Sequence, residues 1–293
     1  MSEAARQAAT AALASRQRLI AFLSARSHDV AGAEDALADA FEAALSAWAE
    51  HGVPNKPEAW LLTVARRRLI DTARHQHIAR EAEADLLVLT DTALELAEGE
   101  APFPDERLKL LFVCAHPAID PAIHTPLMLQ TVLGLDAARI ASAFIVKPAT
   151  MGQRLARAKT KIRDAGIPYE VPSVAELPAR LTAVLEAIYA AYGTGWDDIA
   201  GANDGQHGLS LEALELACLL DRLMPDTPEI LGLFALMQFC EARREARRSP
   251  TGDFIPLAEQ DTAHWSAERI ALARQALDRA GRQARPGRFQ LEA

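Results

Sequence analysis

Aromatic residues make up only 5% of this 293-residue chain, and alternating runs rich in Val and Ile are nearly absent. A chain without such runs has little from which to build strands. Ala and Leu dominate its hydrophobic half instead, and both lose little freedom in a helix. The expected fold is all-α, in two or three small domains for this length. No stretch approaches the roughly 20 apolar residues that a membrane-spanning helix needs. The segment Met1 to Arg18 is Ala-rich and mixed in charge, without the apolar centre of a secretory signal. The three cysteines, Cys114, Cys218 and Cys240, are odd in number and widely spaced, which fits reduced thiols in a cytoplasm rather than a disulfide framework. Cys114 and His116 lack the further pair of a zinc site. No metal and no cofactor are expected.

The formal net charge of −9 would speak against a nucleic-acid partner, but its distribution does not. Residues 1–80 hold 10 Lys/Arg against 9 Asp/Glu, and residues 81–105 hold 8 acids and no base. Residues 106–170 hold 9 bases against 5 acids, and the remainder 12 bases against 18 acids. Two neutral or basic modules are thus separated by an acidic linker and followed by an acidic tail. The boundaries expected are 1–80, a linker over 81–104, 105–170, and 171–293.

Apolar periodicity predicts a helix over about 7–25, with Leu13, Leu19, Ile20 and Leu23 inward, and a second over 29–48. In the second, Val30, Leu37, Phe41, Leu45 and Trp48 form the buried stripe. The segment His51-Gly-Val-Pro-Asn-Lys-Pro57 reads as a loop, and Pro57 suits the first turn of a third helix ending near His75. Helices follow at about 105–115 and 121–133, then a short pair, 136–145 and 148–164. The tail reads as 177–192, 209–223, 228–246 and 266–280. Its break at Pro225-Asp-Thr-Pro228 gives the look of a helical hairpin.

Two faces stand out. On a helix over 60–74, Leu61, Leu62, Ala65, Leu69 and Thr72 gather on the core side. Trp60, Thr63, Arg67 and Arg74 lie opposite, a basic face with one aromatic that suits phosphates and a stacked base. In 148–163, Met151, Leu155, Ala158 and Ile162 form the core stripe. Beside them Thr150, Arg154, Arg157 and Lys161 repeat the same spacing, with Lys147 on that side too. Residues 147–163 carry six Lys/Arg and no acid. A short helix, a tight turn and a basic helix describe a helix-turn-helix whose second helix enters a major groove.

Several motifs in order resemble extracytoplasmic-function sigma factors of bacterial RNA polymerase. Ala33-Glu-Asp-Ala-Leu-Ala-Asp-Ala-Phe41, then Trp60-Leu-Leu-Thr-Val-Ala-Arg-Arg-Arg-Leu-Ile-Asp71 with Arg74, is similar to the family's second region. Asp105-Glu-Arg-Leu, Cys114-Ala-His-Pro-Ala118 and Ala149-Thr-Met-Gly-Gln-Arg-Leu-Ala-Arg-Ala-Lys159 resemble its fourth. Leu177 to about Trp265 resembles the extension of a subgroup with a tetratricopeptide-like C-terminal domain. The resemblance implies that helix 29–48 docks on the clamp of the polymerase largest subunit, through Glu34, Asp35, Asp39 and Phe41, and that the fourth region meets the flap. It implies that loop 51–57 captures a flipped base of the minus-ten element, with Asn55 and Lys56 as the polar candidates, and that helix 60–75 reads that element. Helix 148–163, including Gln153, would read the minus-35 element as duplex. Ala38, Gln130 and His75-Gln-His77 depart from the family's usual residues, which weakens the promoter binding expected. The sequence stops at Phe289-Gln-Leu-Glu-Ala293, where relatives continue with further helices, so it reads as a short or truncated member.

Other classes are weaker. Trp196-Asp-Asp198 and His207 offer a carboxylate and an imidazole for acid–base chemistry, but no second motif joins them, so no enzyme and no catalytic residue are expected. A ligand-responsive helix-turn-helix regulator would bind duplex without polymerase core. A scaffold of helical hairpins leaves the basic stripe without a purpose. A short tether to an acidic tail leaves room for intramolecular regulation of the sigma modules by the C-terminal domain.

Overall fold

A computed structural model describes residues 14–75, 105–173, 175–196, 204–249 and 251–293, together with Thr10 and Ala12. The acidic linker over 81–104, Leu13, residues 197–203 of the Gly-rich loop, the side chain of His207 and that of Arg74 lie outside the described residues. Among the described residues the fold is all-α, as expected; an isolated bridge pairs Arg248 with Phe254 but no strand forms. Among the described residues no helix is long and apolar enough to cross a membrane. The chain divides into two compact units, 1–184 and 185–293.

The first unit begins with α1 (Arg16–Ser27), α2 (Val30–His51) and α3 (Pro57–His75). Leu19, Ile20, Phe22 and Leu23 of α1, Leu37 of α2, and Leu61 and Leu62 of α3 are all buried in one core. Each such side chain contributes about 1.5–3 kcal/mol by leaving water. Asp29 caps α2, accepting from the Gly32 N–H at 3.1 Å, so the helix begins where the sequence predicts. Two inward assignments are corrected. Leu45 is 79% exposed, because small residues (Ala33, Ala36, Ala40, Ala44) line the inner face of α2 and bring its neighbours close. Thr72 is exposed as well, beyond the point where α3 leaves the core.

Next come α4 (Arg107–Cys114), α5 (Pro121–Thr131), α6 (Ala137–Ala143) and α7 (Pro148–Asp164). Asp120 caps α5 through Ala122 N–H (3.0 Å), and Asp136 caps α6 through Ala138 and Arg139 N–H (2.9 Å each). The first three are shorter than their apolar pattern, mainly because their last turns leave helical geometry, whereas α7 keeps its expected bounds. This module is not separate from the first: α1 packs on α4 and α5, and α2 packs on α7.

The second unit takes the later part of α8 (Leu177–Trp196), then α9 (Asp204–Leu223), α10 (Pro228–Ala242), α11 (Ala267–Arg282) and a short α12 (Arg288–Glu292). The helix expected over 228–246 ends at Ala242, and three 3₁₀ turns lie between Glu245 and His264. A buried polar network fastens α8 to α10. Tyr192 donates to Glu241 Oε1 at 3.0 Å, and Arg244 donates from Nε to Glu241 Oε2 at 2.6 Å and from Nη2 to Ser210 at 3.0 Å. Burial, then the Glu241 charge, raises the Tyr192 phenol far above its ordinary value. Arg279 grips Asp221 with two 3.0 Å bonds and Asp226 with a third, tying α11 to the last turn of α9 and to the turn that follows it. The last helix lies across α10 at Gly232, where a Cβ would sit 2.6 Å from the Gln290 backbone nitrogen.

That approach generates an expectation. Gly232→Ala should cost about 1–3 kcal/mol in denaturant unfolding, the usual penalty of overpacking. In a chain ending at Pro286 the same substitution should be close to neutral, because the colliding backbone is gone.

Candidate nucleic-acid and polymerase surfaces

The basic helix α7 begins with Pro148 after the Lys147 cap position. Met151, Leu155, Ala158 and Ile162 are buried as their spacing predicts. Lys147, Thr150, Gln153, Arg154, Arg157 and Lys161 are exposed. The short α6 precedes it and packs against it. The turn between them is closed by Ile145 N–H to Ser142 C=O (3.2 Å) and Val146 N–H to Ala141 C=O (2.9 Å). This arrangement holds four cations outward along α7.

On α3, Arg67 is exposed and Thr63 is half-buried, its hydroxyl donating to Ala59 C=O at 2.8 Å. Trp60 departs from the open basic face expected of it. Its ring lies edge-on to Trp48, 5.6 Å between centroids, and packs against the core. An apolar face is gained by burying that ring, and helical periodicity alone could not place the partner on α2. Trp48 Nε1 is buried without an acceptor. Asn55 and Lys56 are exposed in the loop between these tryptophans.

On α2, Asp35 and Asp39 are exposed, Asp39 lying 3.7 Å from Arg68. Phe41 is half-buried against the core. Glu34, expected on the same outward face, accepts from Lys159 Nζ at 2.5 Å, with side chains 21% and 9% exposed respectively. Beside it Asp29 lies 3.7 Å from Arg163, and the His28 ring meets Tyr169 edge-on at 5.4 Å. At the other end of this seam Arg18 lies 3.6 Å from Asp105 and Arg26 lies 3.8 Å from Glu106. Of the six bases of 147–163, two therefore face α2. Lys159 and the seam escaped the sequence, because a pairing across 125 residues leaves no periodic mark. Cys114 is buried 3.5 Å from Thr131 Oγ1, and burial pushes its thiol up to about 12. His116 Nδ1 accepts from Ala118 N–H.

Residues 13–77, which span α1 to α3, match sigma-70 region 2. Residues 180–281 match a family of unknown function, DUF6596. An uncharacterized protein of Rhizobium meliloti (strain 1021) is 38% identical over 265 residues, which cover 89% of this chain and 63% of that relative. The chain thus spans less than two thirds of that relative's length. No solved structure matches the chain. The chain carries a sigma-70 region 2 domain, and it is built by α1, α2 and α3.

Two outcomes follow from the seam. Burial opposes ionisation of Asp105, but the hydrogen bonds and charge of Arg107, with Arg18, outweigh it and hold the carboxyl below its ordinary 3.8. A lowered carboxyl contributes stability above its unfolded value and loses it as pH falls through the folded one. Stability should therefore start to fall below about pH 4, and Asp105→Asn should flatten that dependence while costing on the order of 3 kcal/mol at neutral pH. For the second pair, Lys159→Glu should destabilise by about 3 kcal/mol, because it sets two carboxylates together in a poorly hydrated place. Adding Glu34→Lys should recover at least half of that loss in a double-mutant cycle.

Proposed function

We propose that this chain is an extracytoplasmic-function sigma factor, a non-enzymatic cytoplasmic protein that joins RNA polymerase core and directs it to promoters. The observation that carries this is the match to sigma-70 region 2 over the three helices that build one continuous core. The exposed Asp35 and Asp39 on α2 supply an acidic surface for a basic partner, the polymerase clamp. Arg67 and Arg74, with Thr63, Asn55 and Lys56, are assigned to the melted minus-ten element, and Trp60 frames that surface from its seat on Trp48. The α6–turn–α7 segment is assigned as a helix-turn-helix for the minus-35 duplex. There Lys147, Thr150, Gln153, Arg154, Arg157 and Lys161 face DNA and the flap is met by the same module. The unit from 185 onward is assigned as a tetratricopeptide-like extension that regulates the sigma modules within the chain, its polar network and tight helix packing supporting a rigid body of hairpins.

Run-off transcription with polymerase core on a genomic fragment library tests this directly. Specific transcripts that need both chain and core are expected; transcripts absent, or duplex binding that ignores core, would overturn it. Charge reversal at Asp35 and Asp39 should weaken core binding while circular dichroism stays unchanged. Arg154→Ala with Arg157→Ala should abolish specific initiation, each lost base contact costing about 1–3 kcal/mol.

A further inference from the structure

Ile145 sits in the turn between α6 and α7 with φ 54°, in the left-handed region. A β-branched side chain there crowds its own backbone, and such residues are genuine outliers. The bonds from Ile145 N–H to Ser142 C=O and from Val146 N–H to Ala141 C=O are those of a helix ending that ordinarily takes glycine at this position. Yet the Ile145 side chain is 94% exposed, so burial does not offset the strain. Three other non-glycine residues among those described have positive φ. His28 packs on Tyr169, Asp226 accepts from Arg279, and Ala284 carries only a methyl. Strain held at an exposed apolar position points to a role outside the chain.

The surroundings say what kind of partner that is. Ile145 stands two residues before Lys147, at the end of α7 from which Thr150, Gln153 and Arg154 project. No acidic residue occurs from 147 to 163, so the surface beside it favours a polyanion. Phe144, its neighbour, is 39% exposed. An apolar group at the mouth of a basic helix matches the methyl that thymine presents in the major groove. Resting on the helix-turn-helix reading above, we propose that Ile145 is a specificity-determining residue, whose side chain contacts a thymine methyl at the edge of the upstream promoter element.

The test uses the full chain with polymerase core and a duplex enriched from a randomised pool by that holoenzyme. Thymines of the upstream element are replaced one at a time by deoxyuridine, which removes only the methyl. For the wild type, one replacement should weaken binding by about four-fold, the worth of one buried carbon. Ile145→Gly should bind the thymine duplex at least about four-fold more weakly and be indifferent to that replacement. Its melting temperature should equal or exceed the wild type's, since glycine accepts this φ freely. Unchanged affinity in Ile145→Gly overturns the proposal, as does a deoxyuridine effect that persists in it. Weakened binding to core without DNA would make Ile145 a polymerase contact and overturn it too. If Arg154→Ala with Arg157→Ala also binds normally, the helix-turn-helix reading falls with it; if those variants lose binding while Ile145→Gly does not, only the Ile145 proposal falls.

Discussion

The ion pair between Lys159 and Glu34 decides how the charge of the basic helix is shared. Both groups give up most of their water where α7 meets α2, and a charge left alone there would cost several kcal/mol. Each therefore holds the other in place, and the turn of α7 that carries Lys159 must face α2. The helix then has only one way to present its remaining bases. Lys147, Arg154, Arg157 and Lys161 point outward, while Arg163 turns toward Asp29. The buried stripe of Met151, Leu155, Ala158 and Ile162 agrees with that rotation, so apolar burial and charge pairing select the same orientation.

The same seam joins the sigma-70 region 2 helices to the module that follows them. Its ends are electrostatic, Arg18 with Asp105 and Arg26 with Glu106 at one side and Lys159 with Glu34 at the other. Between them, packing is close: a Cβ at Gly134 would collide with the Gln17 side chain. The contact uses one carboxylate, Glu34, from the helix proposed to meet polymerase, and leaves Asp35 and Asp39 in solvent. Glu34 of α2 is thus held by an internal partner, while its neighbours Asp35 and Asp39 stay exposed.

Local signals in the chain determined much of this. The Ala- and Leu-rich composition, with few β-branched runs, left helices as the economical way to bury apolar surface. Asp29, Asp120 and Asp136 start helices because an Asp side chain can satisfy a free N–H two or three residues on. The core stripe and the basic row of α7 were legible from a period of 3.6 alone, as were the exposed positions of Arg67, Asp35 and Asp39. What repeats within one helix, or lies within one turn, can be read from the order of residues.

Only tertiary structure decided the rest. Leu45 is apolar and falls near the inner stripe of α2, yet alanines at the crossing let the helices approach and leave it outside. Trp60 shares a helical face with arginines, but Trp48 lies within reach and shelters its ring. Glu34 and Lys159 are 125 residues apart, and neither carries a local sign that distinguishes it from its charged neighbours. The left-handed backbone at Ile145 was equally hidden, since a β-branched residue argues locally against it. For Leu45, Trp60 and the Glu34–Lys159 pair, the outcome depends on which group of another helix packs at the same place, and sequence order alone does not contain that distance.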